Sequence, residues 1–206
     1  MPFQIIGTDG GFIEAPVTAE EVLLPPGDRV ELAVGPFENE GEVYAIDDLP
    51  FYRGTGKKRV ERFGTIRIAP PKASTARIPP RLREIAPLVT GTASVKRTVE
   101  LGFKVSLRRG FDFVIDGERH HHAEPVNVGE MQVWDVVNTT QIDHPFHLHG
   151  FFFQVLEIDG KKPGWRSLED VVNERQAVHL VTAFVVAPSL GWSGVAPRVK
   201  ALRISS

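Results

Sequence analysis

Short runs of alternating or apolar residues, each stopped by glycine or proline, recur along this chain and leave little room for a helix. Phe3 to Ile6 runs into Gly7-Thr8-Asp9-Gly10-Gly11, Glu21 to Leu24 into Pro25-Pro26-Gly27-Asp28, and Arg29 to Val34 into Gly35-Pro36. The pattern returns in Ser94 to Leu101, Phe111 to Gly117, Met131 to Asn138, Phe151 to Ile158 and Ala177 to Phe184, each a plausible antiparallel strand. Asp159-Gly160, directly after one of these runs, is a two-residue hairpin signal. With 19 Gly and 16 Pro as punctuation and few capping signals, the fold class is all-β, a sandwich or barrel rather than α/β. Only short helices are expected, such as one near Pro80 to Ile85.

The alternation lapses from about Ala69 to Ala93, where Pro70-Pro71-Lys72-Ala73-Ser74-Thr75 and Pro79-Pro80-Arg81-Leu82-Arg83 remove several backbone donors. That composition reads as a linker over 70–93, between a unit at 1–69 and another at 94–206. From about 185 the periodicity weakens and Pro188 to Ser206 is the least sandwich-like stretch.

A chain of 206 residues with 42% hydrophobic content is long enough for one large core or two small ones. Its 24 basic and 26 acidic residues are mixed, so it carries no electrostatic footprint for nucleic acid or an anionic membrane. No transmembrane run appears, and Met1-Pro2-Phe3-Gln4-Ile5-Ile6 lacks the features of a secretory signal, so the compartment is left open. The absence of cysteine excludes disulfides, zinc–thiolate clusters, a cysteine nucleophile and any copper–thiolate centre.

The chemistry concentrates in His144-Pro145-Phe146-His147-Leu148-His149, which holds three of the seven histidines. Neutral imidazole suits copper and zinc, and His147 and His149, two apart on an apolar strand, point their rings to one side. The plainer reading is three imidazoles satisfied by hydrogen bonds at a strand edge. Against it, converging imidazoles repel when protonated and are best tolerated when a metal holds them neutral. Pro145 fits a strand entrance, where a missing N–H costs least.

Asp143-His144-Pro145-Phe146-His147-Leu148-His149-Gly150, preceded by Trp134-Asp135-Val136-Val137-Asn138, resembles the first copper motif in the last cupredoxin domain of laccase-type multicopper oxidases. Ile6 to Phe12 with Leu23 to Arg29 is similar to the end of that family's middle cupredoxin domain, and Phe113 to Gly117 and Leu168 to Asn173 resemble strands of its last one. The resemblance implies a pair of cupredoxin-like Greek-key β-sandwiches, the first incomplete. By the same resemblance His144 is a ligand of type 1 copper, His147 of the type 2 ion and His149 of one ion of the type 3 pair. The implied activity is one-electron oxidation of a small-molecule reductant (a phenol, an aromatic amine or a metal ion) coupled to reduction of dioxygen to water.

The second copper motif of that family, His-Cys-His with a further His and an axial residue beyond, belongs after the strand ending at Phe184. Residues 185–206 contain no His, Cys or Met, and no histidine precedes residue 120, where a first cupredoxin domain supplies the remaining ligands. The copper sites are therefore incomplete in this chain. It reads as a fragment, inactive alone and dependent on cupredoxin domains it lacks. The alternative is a non-catalytic cupredoxin-like module that binds copper weakly or serves in protein contacts.

His120-His121-His122 after Gly117-Glu118-Arg119 suits an exposed loop better than a ligand set, since consecutive strand residues alternate faces. His179 reads as a strand histidine. Asp143 and Asp170 are either acceptors that orient imidazoles or solubilising carboxylates at strand ends. Trp134, Trp165, Trp192 and Phe151 to Phe153 read as core rather than as an aromatic substrate surface.

Overall fold

The computed structural model describes residues 1–50, 59–70, 77–92, 94–108, 110–119, 125–150, 152–174, 179–185 and 200–205, with the backbone alone at 174, 179, 185 and 200–205. Among them there are strands and no helix. The segment Pro80 to Ile85, expected as a short helix, forms neither helix nor strand. Leu82 N–H donates to Glu14 O at 2.9 Å, which takes this backbone across to a strand instead of back onto itself.

The N-terminal part forms two sheets. One has the order β2–β1–β4, from β1 (Phe3–Thr8), β2 (Gly11–Ala19) and β4 (Glu31–Ala33). The other runs β3–β14–β5–β6, from β3 (Glu21–Leu24), β5 (Val43–Leu49), β6 (Glu61–Arg67) and the last strand of the chain, β14 (Lys200–Ser205). Strict alternation in β1 turns Phe3 and Ile5 inward, and with Ile13 they make the buried centre of this part.

The C-terminal part holds a five-stranded sheet, β11–β13–β9–β7–β8, from β7 (Arg97–Ser106), β8 (Gly110–Ile115), β9 (Met131–Asn138), β11 (Gln154–Ile158) and β13 (His179–Val185). A two-stranded sheet pairs β10 (His144–His147) with β12 (Val171–Glu174). All pairings are antiparallel except β7 with β9, which places a parallel step in the middle of the larger sheet. β9 is hydrogen-bonded on both edges and its side chains are buried toward both faces, so it reads as a nearly continuous apolar run. Val99, Leu101, Trp134, Val136, Phe146, Leu148, Phe153, Leu180 and Phe184 close the core around it.

Asp159-Gly160 turns the chain as expected. Both residues take positive φ, 52° and 69°, the pair of left-handed conformations that the mirror-image hairpin turn demands, and Ile158 and Lys161 exchange hydrogen bonds across it. Asp116-Gly117 repeats the device at the end of β8, with φ of 50° and 75°.

The described part of the Pro-rich stretch, 77–92, is tied to both halves. Arg83 Nη1 donates to Gly10 O at 2.8 Å, while Leu88 N–H donates to Gln154 Oε1 and Gln154 Nε2 to Ala86 O. The aromatic residues divide. Trp134 and Phe153 are core, as expected, whereas Phe152 is 43% and Trp165 37% exposed, and Phe151 and Trp192 lie outside the described residues.

Candidate metal centre

β10 delivers the histidine motif, and its geometry separates the three rings instead of gathering them. His144 and His147 are three positions apart on a strand and so face opposite ways. His144 is 2% exposed, edge-on to Phe113 with ring centroids 5.2 Å apart. His147 is part-buried on the other side, its ring centroid 5.6 Å from that of the exposed His149. The shared side expected for His147 and His149 is therefore present, and His144 stands apart from them.

Each of the two inner imidazoles has one nitrogen tied down. His144 Nε2 lies 2.9 Å from Thr140 Oγ1. That hydroxyl is also 2.7 Å from Asn138 Oδ1 and 2.9 Å from Ile142 O, both acceptors, so its single proton goes to one of them. The hydroxyl then accepts from His144 Nε2–H, which leaves the lone pair on Nδ1. Burial pushes the His144 imidazole below its ordinary value, with the neighbouring Asp143 carboxylate pulling the other way. His147 has the opposite tautomer. Its Nδ1–H donates to the Asp170 carbonyl oxygen at 2.8 Å, so Nε2 carries the lone pair.

Sequence reasoning named Asp170 as a possible orienting group, and the group that orients is its main-chain carbonyl, which also accepts Leu148 N–H at 3.0 Å. Asp143 accepts from Asn173 Nδ2 at 3.1 Å. Thr140 and Asn138 were missed, and the signal for them is a polar Asn-Thr-Thr cluster at the end of an apolar strand. His179 lies on β13 opposite Val137, while His120-His121-His122 lies outside the described residues.

A second polar cluster sits where the N-terminal loops meet β12. The Asp9 side chain is fully buried, with Arg29 N–H donating to Oδ1 at 2.8 Å and the N–H groups of Asp170 and Val171 both donating to Oδ2 at 2.9 Å. Carboxyl oxygens of Asp9, Asp28 and Glu169 lie within 4.8 Å of one another. Three such groups cannot all ionise. Asp28 is pushed up to about 8, by burial first and then by the Asp9 carboxylate, and Glu169 to about 7, again mainly by burial, with hydrogen bonds from Ser167 and Thr8 opposing. Asp9 accepts from three main-chain donors, and the side-chain hydrogen bond between Asp28 and Asp9 adds to the upward push on Asp28.

A family model described as multicopper oxidase matches residues 98–190, the stretch that carries β10 and the core around it. The chain is 26% identical over 212 residues to a rice (Oryza sativa subsp. japonica) protein, multicopper oxidase LPR1 homolog 1, covering 95% of this chain and 36% of that one. It is 25% identical over 185 residues to the cell division protein FtsP of Xenorhabdus nematophila, covering 80% and 36%. Among solved structures, the McoA multicopper oxidase of Aquifex aeolicus superposes with a TM-score of 0.76 at 26% identity, over 92% of this chain and 44% of that one. Fold, motif and relatives agree on the class, that of cupredoxin-like β-sandwich proteins. Within it, the chain is similar to multicopper oxidases, and the match to that family's model is confined to residues 98–190. It spans about a third of the length of these curated relatives.

Proposed function

We propose that this chain carries part of the copper-ligand set of a multicopper oxidase, with His144, His147 and His149 each offering a single imidazole to a separate copper ion. The observation that supports this most is the pair of opposed tautomers on β10. Thr140 leaves Nδ1 of His144 bare, and the Asp170 carbonyl leaves Nε2 of His147 bare, on opposite faces of one strand. Outer partners that fix a ring and free one nitrogen are what metal-ligating histidines require.

Copper, when bound, supplies one-electron chemistry at histidine-lined sites. The residues present fit it as lone donors, and one imidazole per ion is too few for tight binding. In the complete protein the reading is oxidation of a small reductant such as a phenol, an aromatic amine or a metal ion, with dioxygen reduced to water. This chain by itself is inactive, since no cysteine is available to complete a blue site. The division into units at 1–69 and 94–206 with a linker at 70–93, and a need for further cupredoxin domains, belong to the same proposal.

The test is a copper(II) titration of the purified chain, read by electron paramagnetic resonance and by phenol oxidation under air. Weak binding that falls in His147→Ala and His149→Ala, with no intense blue band and no turnover, is the expected result. Binding unaffected by His144→Ala, His147→Ala and His149→Ala alike would remove the ligand assignment. It would also favour the second reading, a non-catalytic module, which the similarity to a cell division protein supports. Turnover by the chain alone would overturn the inactive state.

A further inference from the structure

The Asp170 carbonyl that orients His147 belongs to a peptide whose own position is set from the other half of the molecule. β12 is short and begins one residue later, at Val171, so Asp170 lies outside the sheet ladder. Two side chains of the N-terminal part reach it. Asp9 Oδ2 accepts the N–H of Asp170 and of Val171, and Arg29 grips the Asp170 carboxylate with Nη1 at 3.3 Å and Nη2 at 2.8 Å. Arg29 is held in turn by its N–H on Asp9 Oδ1 and by Nη2 on Asp9 O at 3.1 Å. Close approach is built in at Gly10, whose N–H donates to Leu168 O at 2.8 Å and where a Cβ would lie 2.4 Å from Leu168 Cβ.

We propose that Asp9 and Arg29 are positioning residues for His147: they lock the Asp170 peptide so that its carbonyl fixes the Nδ1–H tautomer and aims Nε2 as a metal donor. This rests on the reading of His147 as a copper ligand. A buried carboxylate with three main-chain donors is a stiff anchor, because each charge-assisted hydrogen bond is short and directional. Rigid support behind a ligating imidazole is worth about 10–100-fold in metal affinity when removed at the partner itself. Asp9 acts one step further out, so its loss belongs at the lower end.

The test uses the full chain. Imidazole nitrogen–proton correlation spectra of the metal-free protein report each ring's tautomer, with His144 as an internal reference held by Thr140. In Asp9→Asn the His147 signal moves from the Nδ1–H form toward a mixture, His144 stays, and copper(II) affinity falls about 10-fold. Arg29→Gln is read in the same way and carries the test if Asp9→Asn does not fold. Glu14→Gln, which loosens a different contact between the two halves, leaves the His147 signal unchanged. An unchanged His147 tautomer in both Asp9→Asn and Arg29→Gln overturns the positioning role whatever copper does. A shifted tautomer combined with copper affinity that ignores His147→Ala upholds the positioning role and overturns the ligand reading instead.

Discussion

The two halves of the molecule are built from the same kind of strand and are packed very differently. The C-terminal half closes nine buried side chains into one cluster, four of them in the aromatic contacts Trp134–Phe184 and Phe146–Phe153. Among the described residues the cluster of the N-terminal half holds three, Phe3, Ile5 and Ile13, with eleven hydrophobic residues packed around them that are only partly covered. The histidine motif is strung through the dense half, with Phe146 and Leu148 buried between its imidazoles. What the thin half lacks in core it shares at the seam, where Asp9, Gly10 and Arg29 grip 168–171. The imidazoles of the motif are thus set by dense packing, and the carbonyl that orients His147 is held from the thinner unit.

The largest effect that can break this contrast is a cavity in the dense cluster. Phe153 is fully buried and contacts Phe146. Phe153→Ala costs about 3–5 kcal/mol and abolishes cooperative unfolding of the C-terminal half in a denaturant titration. Ile13→Ala, in the thin cluster, costs about 2 kcal/mol, at the low end because its half-exposed neighbours can relax inward. Equal losses at the two sites would mean that the halves share one cooperative core.

Next comes the pH dependence of the seam. Asp28 and Glu169 hold their protons in the native state up to about 8 and about 7, while an unfolded chain releases them near ordinary carboxylate values. The native state therefore binds more protons than the unfolded state between about pH 4 and pH 8. Their contribution is fully present below that window and is lost as pH rises through it, so thermal stability falls from pH 5 to pH 8.5. Asp28→Asn and Glu169→Gln each flatten the slope. A stability that rises over the same range would show that the seam is not where those protons sit.

Gly10 is the sharper probe of contact at that seam. Its backbone is not in the left-handed region, so Gly10→Ala adds no conformational strain, but the new Cβ meets Leu168 Cβ at 2.4 Å and Leu168 O at 2.7 Å. The backbones must part, which costs about 1–3 kcal/mol by melting temperature. Gly41→Ala, where a Cβ meets nothing but φ is 84°, separates conformational from contact effects.

Periodicity carried the strands because one face of each is buried against a core, and the histidine motif carried the candidate site because three imidazoles in six residues have few other uses. The non-helical backbone at Pro80 to Ile85 was not legible. Its hydrogen-bond partners are Glu14 and Arg166, residues remote in sequence, with Gln154 holding Ala86 just beyond it. Nor was the role of Asp9. In Asp9-Gly10-Gly11 the glycines announce a turn, and nothing local reveals that the carboxylate will meet N–H groups 161 and 162 positions away. Thr140 was hidden for the opposite reason, since its contacts are so local that it passes for ordinary strand-end chemistry.

The smallest effect is expected at the seam's exposed ion pair. Arg166 Nη1 lies 3.1 Å from Glu14 Oε1, with the two side chains 40% and 36% exposed. Screening by water leaves such a pair worth about 0.5 kcal/mol, and Arg166 keeps its bond to Ile85 O at 3.0 Å when Glu14 is neutralised. Glu14→Gln therefore shifts the urea midpoint only slightly, and raising the salt concentration shrinks the shift further. A loss comparable with that of Gly10→Ala would place the grip between the halves in surface charge, and the buried carboxylate and close backbone approach at 9–10 would no longer be its main source.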